Sequence, residues 1–288
     1  TDGKATKAAE GFARSCGVEL SALGQKQDGN TVKLFYSLQR KGEATASLLP
    51  EMVTAALAAL PVPKRMRWGS TRYEFVRPVH WLVLLFGDTV VPASIMGVTS
   101  AAQTHGHRFL HPQAIPLSSP ADYESSLLAG HVIANFGKRR QLISDLIEQE
   151  GQKLGARAII DPALLDEVSA LVEFPVALTG NFDPAFLAVP KEALVSSMKG
   201  HQKCFHLLDK DDNILPNFIT ISNLVSKDPA QVIAGNEKVI RPRLADAAFF
   251  YTQDKRFPLS SRIEKLKTVV FQQELGTVYE KSQRVARL

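Results

Sequence analysis

The chain has 288 residues, of which 45% are hydrophobic and 22% charged, with a formal net charge of +5. This length suits one large domain or two small ones, and the composition is that of an ordinary globular protein with a hydrophobic core. No apolar run approaches the roughly 20 residues of a membrane span, which argues against an integral membrane protein. Two cysteines, Cys16 and Cys204, do not form a disulfide framework and predict a cytoplasmic location.

The excess positive charge lies in residues 227–288, which hold twelve Lys and Arg but only seven Asp and Glu. The rest of the chain holds 22 residues of each sign and is balanced. A polyanion such as RNA is the partner that such a segment favours, and DNA and membranes are not expected partners. A solvated helical surface is the alternative interpretation of the same charges.

Taken in order, residues 4–16 predict a helix that ends at Gly17, and residues 31–39 predict a strand. Residues 43–60 predict a helix interrupted at Pro50, and the Pro-rich residues 61–63 end it. We place a domain boundary there, which gives an N-terminal helix and strand segment over residues 1–63.

Residues 64–254 predict a second unit of mixed helices and strands. Strands are expected at 80–86, at 89–95, around residues 104–109 and at 174–179. Helices are expected after Ser119, over 137–154 and, with Asp161 as N-cap, over 163–172. A single turn should follow Asp183.

Residues 191–256 hold the densest set of polar residues. Residues 191–199 predict a helix that runs into a strand carrying His201, Lys203, Cys204 and His206. A polar turn at 209–213 and a strand at 214–222 complete a hairpin.

Beyond the hairpin, Asp228 should cap a helix that is kinked or extended at Ile240, before Pro242, and resumes over 244–251. Residues 255–288 should begin a further helical region, with a capping box at Ser261 and Glu264. Helices and strands in mixed order, with hairpins instead of regular βαβ units, predict an α+β fold with a largely antiparallel sheet.

The histidines and Cys204 are residue types that can bind a metal or, as a pair, act as a nucleophile and its base. The sequence offers two groups of ligand-type residues, which are His105, His107 and His111, and His201, Cys204 and His206. Paired half-sites with zinc spacing are missing, so we predict no metal site. Cys204 beside a histidine could form a thiolate–imidazole pair, but a small buried thiol is the preferred interpretation.

Nucleotide-binding motifs of the GxxxxGK[ST] or GxGxxG kind are absent from the sequence. We therefore predict no catalytic residue and no cofactor bound by this chain.

RNA contact is the chemistry that the cations support, because Arg and Lys meet phosphates and Arg also stacks on bases. The alternatives are ion pairs with Glu237, Asp246 and Asp254, and structural roles for the two arginines beside Pro242. The predicted tRNA-binding residues are Lys238, Arg241, Arg243, Lys255 and Arg256, with Lys138, Arg139 and Arg140 as a second group, whose cations oppose the dipole at a helix N-terminus.

Several blocks of the sequence resemble the β subunit of the two-subunit bacterial glycyl-tRNA synthetase. They are MKGHQKCF (198–205), ILPNFITISN (214–223), GNEKVIRPRLADAAFF (235–250) and, upstream in the same order, MRW (66–68), FVRPVHW (75–81), GHRF (106–109) and EVSALVEFPVALTGNFDPAFLAVP (167–190). Where the family usually has an aromatic residue after HQK, this chain has Cys204, which supports a packing role there. The resemblance covers nearly the whole chain.

The resemblance implies that residues 64–254 are similar to the B3/B4 module of phenylalanyl-tRNA synthetase. It also implies an α2β2 ligase that joins glycine to tRNA with ATP and Mg, with the aminoacylation site in a separate α subunit. This chain would be a piece of β, inactive alone, that supplies a scaffold and contacts to tRNA or α. Hydrolytic editing of mischarged tRNA, which B3/B4 modules perform elsewhere, is the alternative.

Overall fold

The computed structural model describes residues 6–39 and 41–288, so the first residues of the predicted helix 4–16 lie outside the described part. The α-helices of the described part are α1 (Lys7–Cys16), α2 (Thr45–Ala59), α3 (Tyr123–Ala129), α4 (Phe136–Lys153), α5 (Pro162–Leu171), α6 (Lys191–Gln202), α7 (Pro229–Asp254) and α8 (Val278–Val285). Short 3-10 helices cover Leu20–Ala22, Pro120–Asp122, Pro184–Ala188 and Leu259–Thr268.

The strands of the N-terminal half are mostly short. They are β1 (Gly24–Asp28), β2 (Thr31–Phe35), β3 (Met66–Arg67), β4 (Glu74–Phe75), β5 (Leu82–Val83), β6 (Leu85–Phe86), β7 (Thr89–Val90), β8 (Ser94–Ile95), β9 (Val98–Ala101), β10 (Gln103–His105) and β11 (Ala114–Pro116). Those of the C-terminal half are β12 (Arg157–Ala158), β13 (Val176–Asn181), β14 (Phe205–Leu208), β15 (Ile214–Ser222), β16 (Val270–Gln272) and β17 (Gly276–Thr277).

Side-chain caps begin several of the helices where the sequence predicts them. Asp161 accepts a hydrogen bond from the amide of Leu164 at the start of α5, and Asp228 accepts one from Gln231 at the start of α7. Each cap satisfies a backbone N–H that the first helical turn leaves without a partner. Gly17 ends α1 in the left-handed conformation, as predicted.

The largest sheet has four antiparallel strands in the order β12-β14-β15-β13. The β14–β15 hairpin turns at the predicted polar residues, where Asp209 accepts hydrogen bonds from the amides of Asp211 and Asn213. The predicted strand 214–222 is confirmed in full. The α+β class and the antiparallel sheet are thus confirmed, whereas the B3/B4 assignment and the domain boundaries stay predictions.

Helices cover both faces of this sheet. Alternate residues of a strand point to opposite faces, so Phe205, Leu207 and Ile219 pack against α4 and α5 on one face. On the other face Phe218 packs against α6 and α7. Two hydrophobic cores therefore lie on either side of one sheet, and the core that contains Ile240 and Leu244 fixes the position of α7.

The predicted break in α7 is wrong. The helix runs without interruption from Pro229 to Asp254 with Pro242 inside it. Ile240 and Leu244, on either side of the proline, are fully buried in the core shared with α6. Burial of both neighbours holds the two halves of the helix in line despite the missing N–H. The helix α2 likewise continues through Pro50.

Further differences lie in local structure. His201 is in α6 and Lys203 is its left-handed C-cap, so only His206 of the predicted group lies on the strand β14. The expected strand at 80–86 is divided between β5 and β6, and that at 89–95 between β7 and β8.

The capping box expected at Ser261 and Glu264 is also wrong, because a 3-10 helix begins at Leu259 without a side-chain cap. The capping box is instead formed by Thr277 and Glu280 at α8. Within the described ranges, no helix has both the length and the apolarity needed to cross a bilayer.

Candidate nucleic-acid interface

The cations of α7 do not share one face of the helix. Successive residues are about 100° apart around an α-helix, so Arg241 and Arg243 project to opposite sides of the buried stripe formed by Ile240 and Leu244. Lys238 lies one turn before Arg241 and on its side. These residues are therefore close in sequence but do not form a single cluster in space.

Arg241 lies in a cleft of about 280 Å³ with acidic neighbours. The cleft is lined by Asn181, Phe182, Asp183, Glu237 and Arg241. Glu237 accepts a hydrogen bond of 2.8 Å from the backbone amide of Asn181, which ties α7 to the end of β13. Arg241 itself is exposed and forms no hydrogen bond or ion pair within the described residues, so the junction is held by Glu237.

Four of the seven acidic residues of the basic C-terminal segment, residues 227–288, are engaged in local structure. Asp228 and Glu280 cap helices, Glu237 holds β13 and Glu264 pairs with Lys267. Hydrogen bonds from Thr277 lower the pKa of Glu280, which keeps this cap charged. In the part of the chain that the structure describes, Lys267 is the only one of the twelve cations in this segment that forms an ion pair.

The predicted alternative of internal ion pairs is therefore not found for the five cations 238–256: in residues 6–39 and 41–288 none of them pairs with Glu237, Asp246 or Asp254. Lys238, Arg243 and Arg256 are exposed. Their charges are accordingly open to a polyanion.

Aromatic rings accompany the cations, a feature that our sequence interpretation missed. Cationic groups lie 4.0 to 5.7 Å from ring centroids in four pairs, which are Lys255 with Tyr251, Arg262 with Phe257, Lys267 with Tyr279, and Lys281 with Phe271. Phe249 and Phe250 are exposed on α7 as well. Interleaved cations and aromatic rings are the groups that bind single-stranded nucleic acid by charge and stacking. In the sequence, the signal for this feature is the presence of aromatic residues among the cations of the basic C-terminal segment.

The second predicted group, Lys138, Arg139 and Arg140, makes intramolecular contacts at the start of α4. Lys138 pairs with Glu124 at 3.0 Å and Arg140 pairs with Asp166. Arg139 donates from Nε to the carbonyl of Ser169 at 2.8 Å and from Nη1 to the carbonyl of Ile133. Partial burial lowers the pKa of Arg139. Arg139 thus ties α4 to α5, which accounts for a cation at an unfavourable end of the helix dipole.

Cys204 is buried in the core between the sheet and α6, and burial raises the pKa of its thiol to about 12. Such a thiol is protonated at neutral pH and is inert as a nucleophile. His206 is half-buried on β14. Burial lowers its pKa, and the neighbouring cations Arg157, Lys191 and Lys199 lower it further. The thiolate–imidazole alternative therefore has no support in the geometry.

His105, His107 and His111 surround a loop after β10, but they do not converge. The Nδ1 atom of buried His107 accepts hydrogen bonds from the amides of Phe109 and Leu110, both at 3.2 Å. His105 and His111 face an adjoining cavity instead. Within the described residues no group of three or more His, Cys, Asp or Glu is arranged to hold a metal ion.

A basic segment whose cations are largely unpaired within the described residues is typical of proteins that bind polyanions. Comparison with known proteins identifies the family: the family model described as glycyl-tRNA synthetase beta subunit matches residues 1–288. The glycine–tRNA ligase beta subunit of Chromohalobacter salexigens is 55% identical over 284 residues, 99% of this chain and 41% of that protein. Those of Marinobacter nauticus and Hahella chejuensis are 52% and 51% identical, each over 99% of this chain and 42% of the relative.

The chain belongs to the glycyl-tRNA synthetase beta subunit family, which confirms the resemblance found in the sequence. It spans about two fifths of the length of these curated relatives.

Proposed function

We propose that this chain is a tRNA-contacting and bracing part of the β subunit of a glycine–tRNA ligase. The observation that carries the proposal is the basic C-terminal segment, in which four of the seven acidic residues are engaged in helix caps, a backbone contact or an ion pair, while eleven of the twelve cations form no ion pair within the described residues. Membership of the family supports tRNA as the polyanion. The hydrophobic core between the central sheet, α6 and α7 would hold α7 in place when tRNA binds.

The same proposal places the chain in a cytoplasmic α2β2 enzyme with a separate α subunit as partner. Activation of glycine with ATP and Mg and transfer to tRNA would take place on α, and this chain alone would be inactive. The buried, protonated thiol of Cys204 supports the absence of a nucleophile here. Lys138, Arg139 and Arg140 are weaker candidates for tRNA contact because their charges are already partnered.

Binding of glycine tRNA at a series of salt concentrations tests the proposal. Three exposed cations are replaced together in the variant Lys238→Gln, Arg243→Gln, Arg256→Gln, and the matched control is Lys138→Gln, Arg140→Gln. Each lost phosphate contact lowers the slope of log K against log[salt] by a little under one, so the triple variant should lose about two units of slope and bind about tenfold more weakly.

The control should keep the wild-type slope. Equal slopes for the triple variant and the wild type would remove these cations from the tRNA interface. Absence of any salt-dependent binding would leave only a scaffolding role. Release of amino acid from mischarged glycine tRNA, measured in the same samples, tests the editing alternative.

A further inference from the structure

A cavity of about 680 Å³ lies beside β10, away from the basic C-terminal segment in sequence. It is lined by His80, Trp81, His105, Gly106, Arg108, His111 and Pro112. Three histidines and one arginine line it, and among the described residues no Asp or Glu does. Hydrogen-bond donors without a competing acid favour an anionic ligand.

The loop that carries Arg108 is held in one conformation by backbone contacts. His107 accepts two amide hydrogen bonds at Nδ1, and its carbonyl accepts one of 2.8 Å from the amide of His111. The amide of His107 donates to the carbonyl of Gly130 at 2.7 Å. A Cβ atom on Gly106 would lie 2.5 Å from that same carbonyl. His107 and Gly106 are thus positioning residues, and the cavity wall is preorganised.

Trp81 supplies an aromatic surface at the cavity. Its ring stacks at a tilt on His105, with centroids 4.6 Å apart, and the residue remains 45% exposed. Trp81 also lines a second cavity of about 480 Å³ with apolar residues such as Leu82, Val83 and Leu117. An exposed indole beside basic groups offers a stacking surface to a planar heterocycle.

We propose that this cavity binds a nucleoside monophosphate unit, with the base against Trp81 and the phosphate at Arg108 and the imidazoles of His105 and His111. Its volume lies in the range of small-ligand sites, and basic donors next to a ring match the two parts of a nucleotide. The unit is supplied either by the unpaired end of an RNA strand or by a free mononucleotide. This goes beyond the proposed function, because gripping tRNA through residues 227–288 does not require the cavity.

Fluorescence of Trp81 reports on this site directly. The chain has two tryptophans, so Trp68→Phe leaves Trp81 as the only one, and a base stacked on it should quench its emission. In this background the probes are AMP, a single-stranded RNA trinucleotide, adenosine and inorganic phosphate. Saturable quenching is expected with AMP and the trinucleotide, weaker quenching with adenosine, and none with phosphate alone.

Arg108→Gln should weaken the binding of AMP about tenfold or more, since it removes a charged hydrogen bond to phosphate. Arg14→Gln, an exposed arginine on α1, is the matched control and should bind as the parent does. Thermal unfolding of each variant verifies that it is folded. A trinucleotide that binds at least about tenfold more tightly than AMP identifies an RNA end as the source, and equal affinities identify a mononucleotide.

Absence of saturable quenching by AMP and by the trinucleotide would overturn the inference, as would equal affinity of AMP for Arg108→Gln and its parent. Salt-dependent binding of whole tRNA through the basic C-terminal segment is measured separately. The cavity proposal and the proposed function can therefore fail independently.

Discussion

Gly180 lies opposite Phe218 in the central sheet, and the aromatic ring covers the glycine. A Cβ atom at residue 180 would lie 2.4 Å from Cζ of Phe218, which is fully buried and cannot move aside freely. Gly180→Ala should therefore lower the free energy of unfolding by about 1–3 kcal/mol through overpacking. Chemical denaturation measures this change.

Gly200 is the matched control, because a Cβ atom there meets no atom within 4 Å and the residue is exposed in α6. Gly200→Ala should stabilise the protein by about 0.5–1 kcal/mol, since alanine favours the helix and restricts the unfolded chain. Equal effects of the two substitutions would show that Phe218 does not constrain residue 180.

The buried thiol of Cys204 predicts a loss of stability in alkali. Its pKa is about 12 in the folded protein, whereas a free thiol ionises near pH 8.5. Below that range the thiol is neutral in both states. Above about pH 9 only the unfolded chain releases the proton, so stability falls by about 1.4 kcal/mol per pH unit until the folded thiol ionises.

Cys204→Ala separates this effect from other alkaline titrations. The difference in unfolding free energy between the wild type and this variant should be constant from pH 6 to 8 and should shift against the wild type from pH 9 to 11. Parallel curves over the whole range would contradict a buried, protonated thiol.

At the scale of elements, Arg139 joins α4 to the end of α5. Arg139→Met keeps the apolar stem but leaves the carbonyls of Ser169 and Ile133 without their charged donor. The free energy of unfolding should fall by about 3 kcal/mol. The control Lys138→Met removes only an exposed ion pair with Glu124 and should leave stability unchanged within error. Similar losses in both variants would contradict the structural role of Arg139.

The uninterrupted course of α7 gives a second prediction about an element. Pro242 lacks the N–H that would bond to the carbonyl of Lys238, and a proline inside a helix costs about 3 kcal/mol. Pro242→Ala should raise the free energy of unfolding by about 1–3 kcal/mol. Pro229→Ala, at the first helical position where proline is well tolerated, should change it by less than about 0.5 kcal/mol. A destabilised Pro242→Ala variant would indicate that the helix depends on the proline.

Local signals predicted most of the elements whose start or end depends on one residue, although not the helix start expected at Ser261. Asp161 and Asp228 as caps, Gly17 as a helix end and the polar turn at 209–213 were all predicted correctly. The failures arose where distant packing overrides local preference. The sequence around Pro242 predicts a break, but burial of Ile240 and Leu244 against other elements keeps the helix whole.

Only part of the candidate site could be predicted, because its other features depend on contacts between residues that are distant in sequence. Net charge located the basic C-terminal segment, because charge is a sum over residues and needs no geometry. Which cations are partnered depends on contacts between distant residues, such as Arg140 with Asp166 or Arg139 with Ser169. The stacking of Trp81 on His105 joins residues 24 positions apart and had no local signal in the sequence.

At the scale of the whole molecule, tRNA should reduce hydrogen exchange in the basic C-terminal segment and leave the inner strands β14 and β15 unchanged. Eleven of the twelve cations of that segment form no ion pair within the described residues, whereas the strands are enclosed by helices on both faces. Exchange measured by mass spectrometry with and without glycine tRNA tests this distribution. New protection centred on the hairpin, with none in residues 227–288, would contradict it.

Enclosure of the central sheet also constrains how the proposed contact with tRNA can be made. Many RNA-binding modules stack bases on the open face of a sheet. Here α4 and α5 occupy one face and α6 and α7 the other, so the central sheet offers no open face to bases. The proposed contact with tRNA would then involve surfaces outside this sheet, such as helix exteriors, loops and pockets, and a mutational search for nucleotide preference should be directed to those places.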